Sequence, residues 1–250
     1  MPDEYRPETY GDRMAEIYDV WMDEVGPADT TGPAVEFLAL LAGAGPVLEL
    51  GVGTGRVALP LASRGIEVHG VDASTEMVAR LREKPGGEAI HVTMGDFASV
   101  PVDGEFRLIY VAFNTIFALL TQDEQVRCFR EAAAHLAPTG AFVIEAFVPD
   151  LARFDRGQRV GTTLVETDRV MLDVAMHDSA AQVVTVAHVV MTEQGTRIYP
   201  VRLRYAWPSE LDLMAGLAGM RLRERFGGWN RGPFTAGSGG HVSVYEREPA

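Results

Sequence analysis

Val47-Leu48-Glu49-Leu50-Gly51-Val52-Gly53-Thr54-Gly55 is the stretch that decides the fold. Val47 to Leu50 is an apolar run too short for a helix and suited to a buried strand. It runs into three glycines at every second position, where left-handed φ angles and close approach of a ligand to the backbone are both open. A helix follows from about Arg56 to Ser63. Ligands bind at the carboxyl ends of strands in open parallel sheets, so this turn is the expected place for one. Taken alone, such a turn also serves as a tight connection and nothing more.

Working outward, the pattern repeats. Ile66–Val71, Ala89–Val92, Arg107–Ala112 and Ala141–Ala146 read as strands, with helices at Ser74–Arg82 and Gln122–Leu136 between them. Strands alternating with helices imply βαβ units and a doubly wound parallel sheet. Before it, Met14, Ile17, Tyr18 and Trp21 recur at helical spacing, and Ala34–Leu41 reads as a further helix. After Pro149 the period changes to two. Val170, Leu172, Val174 and Met176 alternate with mostly polar neighbours, Val183–Met191 is almost wholly apolar, and Val201, Leu203 and Tyr205 alternate with arginines. Three antiparallel strands are expected there, then a helix from Pro208 and two strands near 221–226 and 241–246. The expected fold is α/β, a Rossmann-like seven-stranded sheet with an antiparallel β insertion after the fifth strand. Residues 1–45 would form N-terminal helices over the ligand site. Residues 46–149 and 207–250 would form the ligand-binding domain, and 150–206 a β cap or dimerisation insertion.

Two acids mark the ligand. Asp72 ends the second strand, 21 positions on from Gly51. An acid there can accept hydrogen bonds from both hydroxyls of a ribose; it also reads as part of a helix cap with Ser74. Gly95-Asp96-Phe97 follows the third strand, where an acid can accept from an adenine amino group and a phenyl ring can pack on a purine; an ordinary turn acid is the other reading. Glu49, Asp72 and Asp96 together line one sheet edge with negative charge. That suits a cationic ligand and opposes a pyrophosphate. Arg56 stands where the dinucleotide fingerprint needs a glycine, which argues against a nicotinamide oxidoreductase.

Glu49–Gly55, Val71-Asp72 with Ser74 and Met77, and Gly95-Asp96-Phe97 resemble, in order and spacing, motif I and its successors in class I S-adenosylmethionine-dependent methyltransferases. The resemblance covers about 45–147. It implies that Glu49 and the loop through Gly51, Gly53 and Gly55 hold the methionine part of S-adenosylmethionine, Asp72 the ribose, and Asp96 with Phe97 the adenine, with Ala73 and Met77 as further cofactor-binding residues. It also implies a last strand antiparallel to the rest. Tyr10-Gly-Asp-Arg-Met-Ala-Glu-Ile-Tyr18-Asp19 is similar to the N-terminal segment of sugar N,N-dimethyltransferases acting on nucleotide-linked amino sugars. This implies that Tyr10 helps hold cofactor and acceptor, with Tyr18 beside the cofactor. Those enzymes carry a His shortly after the fourth strand; the matching position here is Ala118.

Asn114 is then the polar group at that strand end, a candidate for the catalytic site and the acceptor, or a loop Asn capping the next segment. Trp21, Trp229 and Arg231 are further acceptor candidates, Arg231 for a phosphate or carboxylate. Of six histidines, His69, His91, His135 and His241 read as structural, and His177 and His188 in the insertion as the reserve bases. No Cys/His cluster has metal-ligand spacing, so no metal is expected.

Composition bounds the rest. The 250 residues carry 22 Lys and Arg against 35 Asp and Glu, a net charge of −13. That disfavours nucleic acid and acidic membranes as partners. The single Cys128 cannot form an intrachain disulfide, no apolar run is long enough to span a membrane, and the N-terminus is polar, so a soluble cytoplasmic protein is expected. The leading expectation is methyl transfer to an O or N of a small molecule, a sugar or other natural-product intermediate. The alternative is a cofactor-binding module without transferase activity. A homodimer is expected through the insertion.

Overall fold

The structure, a computed structural model, describes residues 5–25 and 30–248. Residues 1–4 and 26–29 of the N-terminal segment lie outside the described residues. Three helices come first, α1 (Thr9–Met14), α2 (Tyr18–Glu24) and α3 (Thr31–Ala42). Five strands then alternate with helices: β1 (Val47–Leu50), α4 (Ala58–Ala62), β2 (Val68–Asp72), α5 (Thr75–Glu83), β3 (His91–Met94), β4 (Phe106–Val111), α6 (Gln122–His135) and β5 (Leu136–Phe147). An antiparallel insertion follows, β6 (Gln158–Val165), β7 (Arg169–Asp178), β8 (Val183–Thr192) and β9 (Gly195–Arg204). The chain closes with α7 (Pro208–Leu217), β10 (Met220–Phe226) and β11 (Gly240–Arg247).

The central sheet has the order β10-β11-β5-β4-β1-β2-β3. β11 runs antiparallel to both neighbours, so the last strand is the reversed one. Side chains alternate between faces, and both faces are covered, which is why the strands read as continuous apolar runs. Leu48, Leu50, Ile109, Phe142 and Ile144 join Phe129 of α6 and Met214 of α7 on one side. Val47, Leu108, Val143 and Val244 join Leu38 of α3 and Leu61 of α4 on the other. β1 is flanked by β2 and β4, so the strand order switches direction there and opens a crevice at the carboxyl ends.

The insertion has four strands where the sequence pattern suggested three. Gln158–Val165 escaped notice because it is an edge strand with little to bury: Val160 and Val165 are exposed, Gly161 interrupts it, and its pairing with β7 slips between Thr162 and Leu164. β5 is also longer than the apolar run at 141–146.

One face of the insertion packs on the body. Tyr199 meets Met14, Ala15 and Met77, and Trp21 and Val190 pack beside them. Gly11 lets α1 sit on the start of α5; a Cβ there would lie 2.5 Å from that of Ser74. The other face, with Val160, Val174, Met176 and Ile198, is open. No helix among the described residues is long and apolar enough to cross a membrane.

Candidate functional site

The carboxyl ends of β1, β2, β4 and β5 open into a cleft of about 450 Å³, within the usual range for small-molecule sites. Gly51, Gly53 and Gly55 all have positive φ, at 79°, 53° and 79°. Gly51 has a second reason to be glycine: a Cβ would come within 2.5 Å of Thr115 Cγ2. Gly51 and Gly53 line the cleft, while Gly55 packs behind it on Leu81 and Leu59.

Asp72 stands at the end of β2 and braces the Gly-rich turn. Its Oδ2 accepts from Gly53 N at 2.7 Å and its Oδ1 from Ser74 N at 2.9 Å. Burial raises its pKa, against the backbone N–H groups of Ser74, Gly53 and Ala73. So the cap reading and the ligand reading are both available to it: each oxygen holds one backbone donor and has a lone pair to spare. Ser74 caps α5 by accepting from Met77 N at 3.1 Å. Ala73, Met77, Asp96 and Phe97 complete this end of the cleft, with Asp96 Oδ1 accepting from Ala98 N at 2.9 Å.

Glu49 lies beneath the turn, 4% exposed. Its Oε2 is buried without a hydrogen-bond partner, as is the hydroxyl of Tyr110, its neighbour on β4. Burial pushes the Glu49 pKa up to about 8. Glu49 does not line the cleft, and Tyr110 and the Ala58 N–H are the donors beside its carboxyl. The acids that do face the cleft, Asp72 and Asp96, together with the glycine turn, fit a cationic nucleoside.

The N-terminal helices roof the cleft. Asp12 accepts from Ser74 Oγ at 2.6 Å, and Asp19 accepts from Thr54 Oγ1 at 2.7 Å while pairing with Lys84 Nζ at 2.7 Å. Tyr10 and Tyr18 line the cleft beneath them. Burial raises the pKa of both phenols, Tyr18 to about 12, so both stay protonated near neutral pH.

The other end of the cleft is the shoulder between β4 and β5. Phe113 and Asn114 are consecutive residues with positive φ, 55° and 64°. Such residues cost of order 1–3 kcal/mol each and persist only where the surroundings hold them. Two side-chain bonds do so: Phe113 N donates to Glu145 Oε2 at 2.6 Å, and Phe147 N donates to Asn114 Oδ1, also at 2.6 Å. Asn114 Nδ2 has no partner among the described residues and opens on the cleft. Arg56 lies 4.9 Å over the Phe113 ring, with a buried Nη1 that has no partner.

Ten of the candidate residues thus come together: Tyr10, Tyr18, Gly51, Gly53, Asp72, Ala73, Met77, Asp96, Phe97 and Asn114. Seven others do not line the cleft: Glu49 lies beneath it, Gly55 packs behind it, and five are placed elsewhere. His177 bonds Tyr205 Oη at 3.0 Å and stacks on Phe154; His188 pairs with Asp173 at 2.6 Å and packs on Trp21. Neither lines the cleft. Trp21 is turned to the insertion, Trp229 is buried against Phe37, and Arg231 stacks over the same ring. None of these three lines the cleft. Glu145 was missed. Its signal was visible: it is the one charged residue in the apolar run Ala141–Phe147.

The pattern of the family described as methyltransferase domain matches residues 47–140. The CcbJ methyltransferase of Streptomyces caelestis has a similar structure, with a TM-score of 0.93 and 45% identity over 98% of this chain and 100% of that one. The cypemycin N-terminal methyltransferase of a Streptomyces species is 29% identical over 245 residues, 97% of this chain and 99% of its own. CalS10 of Micromonospora echinaspora, an amino pentose methyltransferase solved with its cofactor bound, shares the fold at a TM-score of 0.69 and 23% identity, covering 91% of this chain and 96% of its own. Full-length likeness to a methyltransferase at 45% identity, on a cleft whose acids and glycine turn suit a cationic nucleoside, leaves one conclusion: the chain belongs to the S-adenosylmethionine-dependent methyltransferases.

Proposed function

We propose that this methyltransferase acts on a nitrogen or oxygen of a small-molecule acceptor, a sugar or other natural-product intermediate. The observation that carries the reading is the two-ended cleft. One end holds Gly51, Gly53, Asp72, Asp96 and Phe97; the other continues past Asn114 to Phe147 and to Val201 and Leu203 of the insertion. The name of one relative, an N-terminal methyltransferase, favours nitrogen.

In this reading Glu49 and the turn at Gly51–Gly55 hold the methionine part, Asp72 with Ala73 the ribose hydroxyls, and Asp96, Phe97 and Met77 the adenine. When bound, S-adenosylmethionine supplies a methyl group that is already electrophilic. The protein's task is then to exclude water and align the acceptor's lone pair, which can lower a barrier by roughly 7–11 kcal/mol. Tyr10 and Tyr18, protonated, close the site from above as donors. Asn114 Nδ2, fixed by the bond its Oδ1 makes to Phe147, orients the acceptor.

Residues 1–45 act as the roof and 150–206 as a cap that also carries the contact between two copies. The open sheet face supports the second role. Val160, Val174, Met176 and Ile198 are 70%, 39%, 56% and 57% exposed. Four strands of eight to ten residues present about 600 Å², near the ~800 Å² a standard interface takes from each partner. The net charge of −13 favours a small molecule over nucleic acid, and a cytoplasmic setting accords with the single free cysteine.

The test is acceptor-dependent release of S-adenosylhomocysteine from protein given S-adenosylmethionine and a panel of amino and hydroxy sugars and amino-acid amides. Release that tracks a methylated product supports the reading. Tight cofactor binding with no release from any acceptor, including extracts of a natural-product producer, would instead favour a binding module.

A further inference from the structure

We propose that Glu145 is the residue on which the acceptor docks as an ammonium and to which it gives up its proton. The inference rests on the methyl-transfer reading above and deepens it by naming the acceptor's chemical class, an aliphatic amine.

The geometry at β5 carries it. Glu145 lines the cleft at the acceptor end, beside Asn114 and Phe147. Its Oε2 receives the N–H of Phe113 at 2.6 Å. The indole of Trp229 is the carboxyl's side-chain partner, and the carboxyl lines the cleft, where a further donor can reach it. A carboxylate half-committed to the protein and half-open to a binding site is a receptor for a donor that arrives with the ligand. Trp229 comes from the loop between β10 and β11, and the guanidinium of Arg56, from the turn after β1, is the cation near the carboxyl.

Charge selects the donor. Asp72, Asp96, Glu124 and Glu145 face the cleft, and the cations that line it, Arg6 and Arg202, belong to the N-terminal segment and to β9. An acidic interior attracts an ammonium and gives a neutral alcohol no comparable advantage. Leu119, Phe147, Val201 and Leu203 also line the cleft and suit the carbon skeleton of such an amine.

The chemistry requires the same group. An aliphatic amine enters near neutral pH as its ammonium and has no lone pair to offer. The N–H proton passes to the Glu145 carboxylate. The freed lone pair forms the C–N bond as the C–S bond breaks, and the electron pair of that bond leaves on sulfur. The proton on Glu145 then passes to water. Burial raises the Glu145 pKa, opposed by the Phe113 N–H, Trp229 and Arg56, and this narrows its gap from an ammonium. Tyr10 and Tyr18 stay protonated and cannot serve, and His177 and His188 lie elsewhere.

The test is calorimetric, on the full chain, with and without S-adenosylhomocysteine. The probes are cyclohexylammonium chloride and cyclohexanol. The wild type should bind the ammonium at least tenfold more tightly than Glu145→Gln does, and the two proteins should bind cyclohexanol alike. The amide oxygen of Glu145→Gln can still accept from Phe113 N, so S-adenosylhomocysteine affinity should stay within threefold. Should that variant not fold, the wild type alone decides. Its ammonium affinity should fall as Glu145 is protonated on acidification, while cyclohexanol affinity stays level. Asp72, Asp96 and Glu124 are the other carboxyl groups in the cleft lining, and the Gln variant separates their part. Equal ammonium binding by both proteins, or a wild type that prefers the ammonium to the alcohol at no pH, would overturn the proposal. Failure of S-adenosylhomocysteine to bind would instead count against the methyl-transfer reading and leave the ammonium titration of the free protein to stand or fall by itself.

Discussion

Replacing Asp72 with alanine separates two jobs that this carboxylate performs at once. It accepts from Gly53 N at 2.7 Å and from Ser74 N at 2.9 Å, so its loss leaves two partly buried backbone donors unmade. An unsatisfied buried donor costs about 1–3 kcal/mol. Because both sites are partly open to solvent, the low end applies, and the free protein should lose about 2 kcal/mol of stability. Cofactor binding should suffer beyond that. Hydrogen bonds to a charged group are worth about 1.5–3 kcal/mol each. Loss of one such bond to the ribose is more than tenfold in Kd, and loss of both more than a hundredfold. Asp72→Asn is the control: its amide oxygen can keep one backbone donor, so it should recover stability more than affinity. The assays are urea unfolding of the free protein and calorimetric titration with S-adenosylhomocysteine. A folded Asp72→Ala variant that binds S-adenosylhomocysteine as the wild type does would refute the assignment of the ribose to this residue.

Four further outcomes are expected. Glu49 has its pKa raised to about 8, so its contribution to the stability of the free protein should be full below the ordinary carboxylate range and be lost as pH rises towards and through 8, by at most about 1.4 kcal/mol per unit; thermal melts of Glu49→Gln should lack that slope. Asp12→Ala removes the acceptor of Ser74 Oγ and should loosen the roof by about 1 kcal/mol, read as faster hydrogen exchange over residues 9–24 and weaker S-adenosylhomocysteine binding. Asn114→Ala loses the bond to Phe147 N and a residue type that tolerates the left-handed region; turnover should fall with little change in cofactor affinity. Met176→Glu on the open sheet face should convert a dimer to a monomer in light scattering with the melting temperature of the monomer unchanged, and a wild type that is already monomeric would remove the basis for that contact.

The cofactor end of this protein was legible because its chemistry is local. A strand, a glycine turn and an acid at the next strand end are neighbours in sequence, and Glu49, Gly51, Asp72 and Asp96 need only the parallel sheet to converge. The acceptor end was not. Glu145 meets Phe113 across 32 positions, and Asn114 meets Phe147 across 33, so no window of sequence contains either bond. His177 and His188 could not be placed from sequence for a related reason. They fall on strands of the insertion and face its packed side, but register alone does not tell a packed side from a cleft. The edge strand at Gln158–Val165 left no signal because burial, which imposes periodicity, scarcely acts on it.

The most direct measurement of the central claim is a crystal structure of the protein with S-adenosylhomocysteine. Both ribose hydroxyls should lie within about 2.6–3.2 Å of the Asp72 oxygens, with the adenine beside Phe97 and Asp96 and the sulfur facing the shoulder at Asn114 and Glu145. A ligand seated elsewhere, such as the shallow depression between Arg130, Leu217 and Arg247 on the far side, or one in the cleft with its sulfur turned away from that shoulder, would contradict it.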